Sequence, residues 1–351
     1  MYLSLVNGIT HMNQRCNSGA LSALARTLFL GAAVGAAAAP AFAASAAWQP
    51  DKTVELVIGA GAGGSQDQTV RTLHKIIQDK HLVPVTSTVV NKPGAGGSIA
   101  LSYIAQNAGD PRLLLMVSPT MSTNHIVGKS TLKHQDLTTL ATLFNEYIGF
   151  TVRVESPIKD GRDFAQRLRS NPSSLSIAVG TSLGNANHIA VGQVLRAMGA
   201  GPDDLKKLKL LAFKSGGEAL TALLGGHIDA LVLTPTNLVP HVQSGKLRMI
   251  AITAPKRLGG AMASVPTWKE QGVNVQLESW RAMVAPPGLP AAPVAYWEDV
   301  LAKLMQTPEW QAELQKNFWE GDFRRSASAR KYLDAEYEEL KAALTALGLV
   351  K

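Results

Sequence analysis

Residues 54–79 read VELVIGAGAGGSQDQTVRTLHKIIQD. The run 54–58 is apolar apart from one glutamate and is ended by glycines, which indicates a buried strand and a turn. Apolar residues then recur at helical spacing, which predicts a helix from about residue 65 to residue 79. A helix start presents unpaired backbone N–H groups and the positive end of the helix dipole. It can therefore bind an anion without a charged side chain.

The same unit of apolar run, glycine- or serine-rich loop and helix occurs three more times. The later loops are residues 93–98 (PGAGGS), 180–184 (GTSLG) and 214–217 (KSGG). The four loops form two pairs, and the members of each pair are about 35 residues apart. Two such pairs predict two similar lobes whose helix starts face one anionic ligand.

Strands that alternate with helices predict an α/β fold of mostly parallel sheets flanked by helices. Two long extended stretches, at about 140–154 and 275–285, are the predicted crossovers between two lobes. We therefore expect lobe one to comprise residues 44–150 and 281–351 and lobe two to comprise residues 151–280, with the final helices covering lobe one.

The first 43 residues are typical of a secretory signal peptide. They contain two arginines and no acidic residue, then an apolar core around residues 28–35 and the small-residue cleavage pattern Ala41-Phe42-Ala43. The core is short for a permanent membrane helix, which is the alternative interpretation. The only cysteine, Cys16, precedes that core. Export of a mature chain without cysteine predicts a bacterial periplasmic protein.

The charge pattern favours a small anion over a nucleic acid as the partner. The formal net charge is +8, of which the two arginines of the signal peptide supply two. The basic residues are scattered, and no basic run alternates with aromatic residues. A mild positive field helps to recruit a small anion.

Two short motifs suggest enzymes instead. Gly59, Gly61 and Gly64 fit the G-x-G-x-x-G pattern of dinucleotide sites, but the second predicted strand does not end in the acid that would bind the ribose. Residues 180–184 fit the G-x-S-x-G pattern of a hydrolase nucleophile, with Ser182 as the serine. An NAD(P)-binding oxidoreductase and a serine hydrolase therefore stay as alternatives to a binding protein. The sequence favours no catalytic residue, metal or cofactor.

Three polar residues, Asp67, His188 and Arg281, could have either a structural or a ligand-binding role. Asp67 lies in the first turn of its helix, where it would either cap the helix or meet a ligand hydroxyl or amine. His188 is expected to pack or cap rather than to contact a ligand. Arg281 follows Trp280 at the return crossover, and a structural ion pair is expected there.

The chain resembles the solute-binding receptors of tripartite tricarboxylate transporters, also called Bug receptors. The segments that carry the resemblance are 90–97 (VNKPGAGG), 222–229 (ALLGGHID), 241–248 (HVQSGKLR), 265–273 (VPTWKEQGV) and 285–288 (APPG). The segment 307–310 (TPEW) is similar to the citrate-receptor branch. The first loop, residues 59–62, lacks the proline and aromatic residue of many family members, which suggests a wider loop and a bulkier ligand.

The resemblance implies a type II periplasmic-binding-protein fold, in which two lobes close like a flytrap on a carboxylated solute. It implies a monomeric receptor, without a cofactor, that delivers a di- or tricarboxylate or an aromatic carboxylate to membrane permease subunits. A ligand-sensing subunit of a signalling system would use the same closed form and is a further alternative. The expected ligand-binding residues are Gly61, Gly63, Ser65, Gln66, Asp67, Pro93, Gly94, Ala95, Gly96, Gly97, Ser118, Thr120, Gly180, Thr181, Ser182, Asn185, Lys214, Ser215, Gly216, Thr234 and Asn237.

Overall fold

The computed structural model describes residues 48–350, and the predicted signal peptide lies outside them. The strands are β1 (Val54–Ile58), β2 (Ser87–Asn91), β3 (Leu113–Val117), β4 (Thr138–Tyr147), β5 (Gly149–Arg153), β6 (Ser176–Ala178), β7 (Lys209–Leu211), β8 (Ala230–Leu233), β9 (Leu247–Ile252), β10 (Glu278–Ala285) and β11 (Glu320–Arg325). The helices are α1 (Ser65–Asp79), α2 (Ser98–Gln106), α3 (Pro119–Ile126), α4 (Gly161–Ser170), α5 (Ala186–Ala197), α6 (Pro202–Lys206), α7 (Gly216–Leu224), α8 (Val239–Gln243), α9 (Ala291–Met305), α10 (Pro308–Asn317) and α11 (Ser326–Ala346).

The strands form two sheets. The first has the order β11-β4-β10-β3-β1-β2 and the second has the order β7-β6-β8-β5-β9. We call the first sheet with its helices lobe one and the second sheet with its helices lobe two. The predicted α/β fold with two lobes is confirmed. Strand β3 is buried along its whole length, as its unbroken apolar run requires in the middle of a sheet that has helices on both faces.

Both sheets are mixed, whereas the sequence predicted mostly parallel ones. Strand β1 pairs in parallel with β2 and β3, but β10 pairs antiparallel with β3 and β4. The reason is the route of the chain. Strand β4 leads out of lobe one and β10 leads back into it, so two neighbouring strands at the crossover must run in opposite directions.

The first crossover is a single residue. Strand β4 ends in the first sheet at Tyr147, and β5 begins in the second sheet at Gly149. A Cβ atom at Gly149 would lie 2.6 Å from the sulfur of Met249, so the glycine leaves room for this side chain where the chain enters lobe two.

Helix α11 packs against both lobes. Leu333 belongs to the apolar cluster of lobe one that contains Trp280. Leu340, Leu344 and Leu347 belong to the main apolar cluster of lobe two. Helix α11 therefore packs against lobe one, as predicted for the final helices, and its second half also packs against lobe two.

Strand β11 was not predicted from the sequence. Its residues read EGDFRR, and they show no alternation of buried and exposed side chains. The strand lies at the edge of the first sheet, where charged residues prevent pairing with another chain. Within residues 48–350 no helix combines the length and the apolar character that a membrane span requires.

Candidate functional site

A cavity of about 190 Å³ lies where the strands of both lobes end. Its wall is built by the loops after β1, β2 and β3 on one side and by those after β6, β7 and β8 on the other. Ligands of open α/β sheets bind at this carboxyl edge. The predicted residues that line the cavity are Gly61, Ser65, Gln66, Gly96, Gly97, Ser118, Thr120, Gly180, Thr181, Asn185, Lys214, Ser215, Gly216 and Thr234.

The starts of α1 and α2 lie side by side because their loops lack side chains. A Cβ atom on Gly59 would lie 2.9 Å from the Cα of Gly97. Gly94, Gly96 and Gly97 all have positive φ angles, which glycine adopts without strain. These glycines bring two positive helix ends to one side of the cavity.

Both helix starts are open. Gly64 and Gly97 are the N-cap residues, and no side chain caps either helix. The first residues of the helices, Ser65 and Ser98, line the cavity, and their hydroxyl groups are buried without a protein partner. Buried hydroxyl and N–H groups are nearly always hydrogen-bonded. The hydroxyl groups of Ser65 and Ser98 lack a partner in the protein, and a ligand could supply one.

A third helix start comes from the polar cluster after β3. Ser118 and Pro119 open α3, and no side chain caps it. From the sequence we predicted Ser118 and Thr120 as ligand-binding residues but not this helix, although proline in the first turn is a helix-start signal. Asn124 of α3 is 3% exposed, lines the cavity and donates a hydrogen bond of 3.1 Å from its Nδ2 to the Gly96 carbonyl oxygen. Helix α3 thus supports the glycine turn before α2.

The two helix starts of lobe two that contribute to the cavity, those of α5 and α7, are already capped. The Asn185 side chain accepts the His188 N–H at 2.9 Å, and the Ser215 hydroxyl accepts the Glu218 N–H at 3.1 Å. The chemistry of the two lobes therefore differs, although the sequence predicted similar pairs. Lobe one offers open helix starts, and lobe two offers side chains such as those of Asn187 and Lys214.

Asp67 points away from the cavity and stabilises the first loop. Its Oδ2 accepts the Gly63 N–H at 2.9 Å and pairs with Arg71, and its Oδ1 accepts the side-chain amide of Asn91. Burial alone would raise the pKa of Asp67, but the hydrogen bonds from Arg71, Gly63 and Asn91 lower that pKa below its usual value. Asp67 is not among the residues that line the cavity, and these contacts fit the capping interpretation; a contact with the ligand stays a prediction.

Further predicted residues do not line the cavity. These are Gly63, Pro93, Gly94, Ala95 and Ser182, which belong to the loops whose neighbours reach the cavity. Asn237 ends the short turn Pro235–Asn237, which directly follows the wall residue Thr234.

Ser182 lacks the base that a hydrolase nucleophile needs. Its hydroxyl is buried and has no protein partner among the described residues. His188 on the following helix accepts the Gly184 N–H at its Nδ1, and burial together with the nearby Lys129 lowers its pKa to about 4. Asp229 and His241 are an acid and a histidine that follow Ser182 in the chain. Asp229 accepts from the N–H and hydroxyl of Ser176, and neither residue hydrogen-bonds to Ser182 among the described residues.

Part of the wall was not predicted from the sequence. The additional polar residues are Asn124, Asn187, Ser279 and Arg281, and the apolar ones include Leu101, Met116, Met121 and Leu233. Among the described residues that line the cavity, Lys214 and Arg281 carry charge and none is acidic. The lining therefore favours an anion over a cation.

Arg281 lies on the crossover wall, where β10 runs beside β4. It is 6% exposed, and its Nη2 pairs with the carboxylate of Glu146, which is 1% exposed. Its Nη1 donates to the Ser279 hydroxyl at 2.9 Å and to the Trp280 carbonyl at 3.0 Å. The expected structural ion pair is present, and it forms part of the cavity wall.

The two lobes contact each other at the mouth of the cavity. The Lys129 Nζ of lobe one donates to the Leu183 carbonyl of lobe two at 2.6 Å. Val127 lies against Gly184, since a Cβ atom there would be 3.6 Å from a Val127 methyl group. The loops of the two lobes are therefore in direct contact.

Two lobes that close on a cavity with open helix starts define the class of solute-binding proteins. A family profile described as "Tripartite tricarboxylate transporter family receptor" matches residues 71–349. The Cupriavidus necator protein named "UPF0065 protein in gbd 5'region" is 30% identical over 321 residues, which cover 91% of this chain and 94% of that protein. The chain belongs to the tripartite tricarboxylate transporter receptor family, whose receptors are periplasmic solute-binding proteins.

Solved structures share the fold at low sequence identity. The periplasmic binding protein BugD superposes with a TM-score of 0.77 at 22% identity and covers 86% of this chain and 99% of its own. MatC from Rhodopseudomonas palustris with bound malate superposes with a TM-score of 0.75 at 22% identity, over 84% of this chain and 99% of its own. The predicted resemblance is confirmed at the level of family and fold.

Proposed function

We propose that this protein is a periplasmic receptor that captures a small carboxylate between its lobes and delivers it to a membrane permease. The observation that carries the proposal is the pair of open helix starts at α1 and α2. Their Ser65 and Ser98 hydroxyl groups are buried, unpartnered and on the cavity wall. A carboxylate accepts several hydrogen bonds and is favoured by the dipoles of both helices.

Backbone amides suit a receptor that must release its ligand. They carry no full charge, so an empty site does not leave an unpaired buried ion. Each hydrogen bond to a charged group contributes about 1.5–3 kcal/mol. A few such bonds, less the cost of ordering the ligand, correspond to binding in the micromolar to sub-micromolar range as an order of magnitude.

The related structure with bound malate supports the same class of ligand for this chain.

We propose a monomer that is exported through a cleavable signal peptide at residues 1–43 and that catalyses no reaction. Side chains cap the α5 and α7 starts of lobe two, and the carboxylates of Asp67 and Asp229 already accept hydrogen bonds within the protein. Both observations favour binding over catalysis. N-terminal sequencing of the protein from a periplasmic extract tests the signal peptide.

Calorimetry tests the proposal. The protein is unfolded and refolded to remove any co-purified acid, and it is then titrated with malate, glutarate, adipate, citrate and benzoate. We expect saturable binding of at least one acid and none of the matched primary amides. Binding of the amides as tightly as the acids, or no binding of any acid, would exclude the carboxylate site. Loss of cellular uptake of the bound acid on deletion of the gene then tests delivery.

A further inference from the structure

Four large apolar side chains are exposed in the described part of the chain. They are Ile99, Val154, Leu183 and Leu224, with exposed fractions of 52%, 51%, 41% and 36% respectively. Single exposed apolar residues are ordinary at a protein surface, whereas a group of them marks a site of interaction. Ile99 and Leu183 belong to such a group, because the loops that carry them meet at the boundary between the lobes.

The part of this group on lobe one comes from the loop after β2 and the first turn of α2. Pro93 and Ala95 are exposed in the loop. Ile99, the second residue of α2, lies over the loop, since a Cβ atom on Gly94 would be 2.5 Å from its Cδ1. None of these four residues lines the cavity. Another molecule can therefore contact them while a ligand occupies the cavity.

The part of the group on lobe two is Leu183, in the loop after β6. Its neighbour Ser182 lies against lobe one, since a Cβ atom on Gly96 would be 3.5 Å from the Ser182 hydroxyl oxygen. The Leu183 side chain itself is exposed. Because Ile99 follows Gly96 by three residues, Ile99 and Leu183 lie on opposite sides of one contact between the lobes.

A surface that both lobes build exists only while their loops touch. A ligand that binds between two lobes favours the arrangement in which the lobes touch. A partner that recognises this surface would therefore bind the loaded receptor in preference to the empty one. A permease that takes solute from a receptor needs this discrimination.

Lysines flank the surface. The segments 92–103, 127–133 and 180–187, which meet at this boundary, contain three lysines and no acidic residue. Lys129 donates to the Leu183 carbonyl oxygen at 2.6 Å. Lys92 lies 3.8 Å from the ring centroid of Tyr103, which is one turn after Ile99 on α2. Positive charge around an apolar centre is complementary to an acidic surface that carries apolar side chains.

We propose that Ile99 and Leu183 form a docking surface for the membrane permease, which meets them with an acidic periplasmic segment that carries apolar side chains. The inference rests on the proposed function and names the surface through which delivery occurs. The apolar centre supplies affinity, and the lysines steer and orient the partner.

The test separates docking from ligand binding. Ile99→Gln is combined with Leu183→Gln, because glutamine removes the apolar contact without adding a charge beside the start of α2. Val154→Gln combined with Leu224→Gln makes the same change at the two other exposed positions and is the control. Both double variants are titrated with the acid among malate, glutarate, adipate, citrate and benzoate that binds the wild type most tightly. We expect the wild-type dissociation constant in both.

Delivery is measured with right-side-out membrane vesicles from the producing organism after deletion of the receptor gene. Purified receptor saturated with the labelled acid is added, and the receptor concentration that gives half-maximal uptake is determined. We expect this concentration to rise at least about tenfold for the Ile99→Gln, Leu183→Gln variant and to stay unchanged for the control. Equal concentrations for the wild type and this variant would overturn the docking surface.

Ionic strength and sedimentation test the nature of the partner. Salt screens the attraction between the lysines and an acidic segment, so the half-maximal receptor concentration of the wild type should rise with ionic strength. A concentration that does not rise would overturn the acidic partner. A wild-type dimer in sedimentation velocity that the Ile99→Gln, Leu183→Gln variant loses would assign the surface to a second copy of this chain and overturn the assignment to the permease.

The two proposals fail in different ways. If no acid binds the wild type, the carboxylate receptor and the docking surface are both excluded. If acids bind and every variant delivers them equally well, only the docking surface is excluded.

Discussion

Gly96 illustrates how a single residue without a side chain keeps the site open. Its φ angle is +64°, and a Cβ atom there would lie 2.8 Å from the Asn124 Nδ2 and 3.5 Å from the Ser182 hydroxyl. Glycine therefore serves two purposes at this position. It allows the turn before α2, and it allows loops from both lobes to approach each other.

Replacing Gly96 with valine should abolish measurable carboxylate binding and leave the protein folded. The new side chain would displace Asn124 and push the turn off the carboxylate. Gly109→Val is the matched control, since Gly109 also has a positive φ angle, at +78°, and no atom lies within 4 Å of its Cβ position. Calorimetry and thermal unfolding are measured on both. Equal affinities in the two variants would remove this turn from the site.

At the scale of elements, the difference between the helix starts of the two lobes can be tested by two serine substitutions. Ser98→Ala removes a buried hydroxyl from the open start of α2, and we expect affinity to fall about tenfold with little change in stability. Ser215→Ala removes the cap of α7, and we expect a loss of about 1 kcal/mol in stability with little change in affinity. The opposite pattern would mean that lobe two holds the carboxylate.

Helix α11 carries a carboxyl group that should make stability depend on pH. Burial, followed by the nearby charges of Glu339 and Glu278, raises the pKa of Glu336 from its ordinary 4.5 to about 7. The folded state therefore holds a proton that the unfolded state has lost, and stability should fall as pH rises from about 4.5 to 7.

We expect Glu336→Gln to raise the melting temperature at pH 8 and to leave it nearly unchanged at pH 4, because glutamine mimics the protonated acid. Glu338→Gln, an exposed residue on the same helix, is the control. Melting temperatures are compared at both pH values. A gain at pH 4 that equals the gain at pH 8 would show that Glu336 is not the titrating group.

The local elements of the site were largely predictable, and their partners were not. Glycines after apolar runs predicted the loops before α1 and α2, because only glycine suits such turns. The segment Ser215-Gly216-Gly217-Glu218 fits the capping box and so predicts a capped start of α7, which competes with the predicted anion site at this loop. The Arg281–Glu146 pair joins residues from two strands far apart in the chain, and no local sequence pattern predicts such a pair.

At the scale of the whole molecule, the segment after α3 joins the lobes through apolar and polar contacts. Ile126 packs into the apolar cluster of lobe two, and the exposed Lys129 donates to the Leu183 carbonyl oxygen at 2.6 Å. Exposed contacts of this kind contribute little to folding. They can still shift the balance between open and closed lobes, because both states are folded.

Lys129→Met should therefore speed ligand release about two- to fivefold and leave the association rate and the melting temperature nearly unchanged, because tuning of this kind acts mainly on dissociation. Lys133→Met, on the same lobe but without this contact, is the control. Stopped-flow release of the acid found by calorimetry is the measurement. An unchanged release rate would show that this contact does not hold the lobes together.

The central claim is that backbone amides at the starts of α1 and α2 hold the carboxylate. It is tested most directly by 1H–15N NMR of the deuterated, ligand-stripped protein during titration with the acid that calorimetry identifies. We predict that the largest downfield shifts of amide protons fall at Ser65 and Gln66, because the Ser98 N–H already donates to the Ala95 carbonyl oxygen. Shifts concentrated instead at the capped starts of α5 and α7, with the Ser65 and Gln66 amides unmoved, would contradict the account.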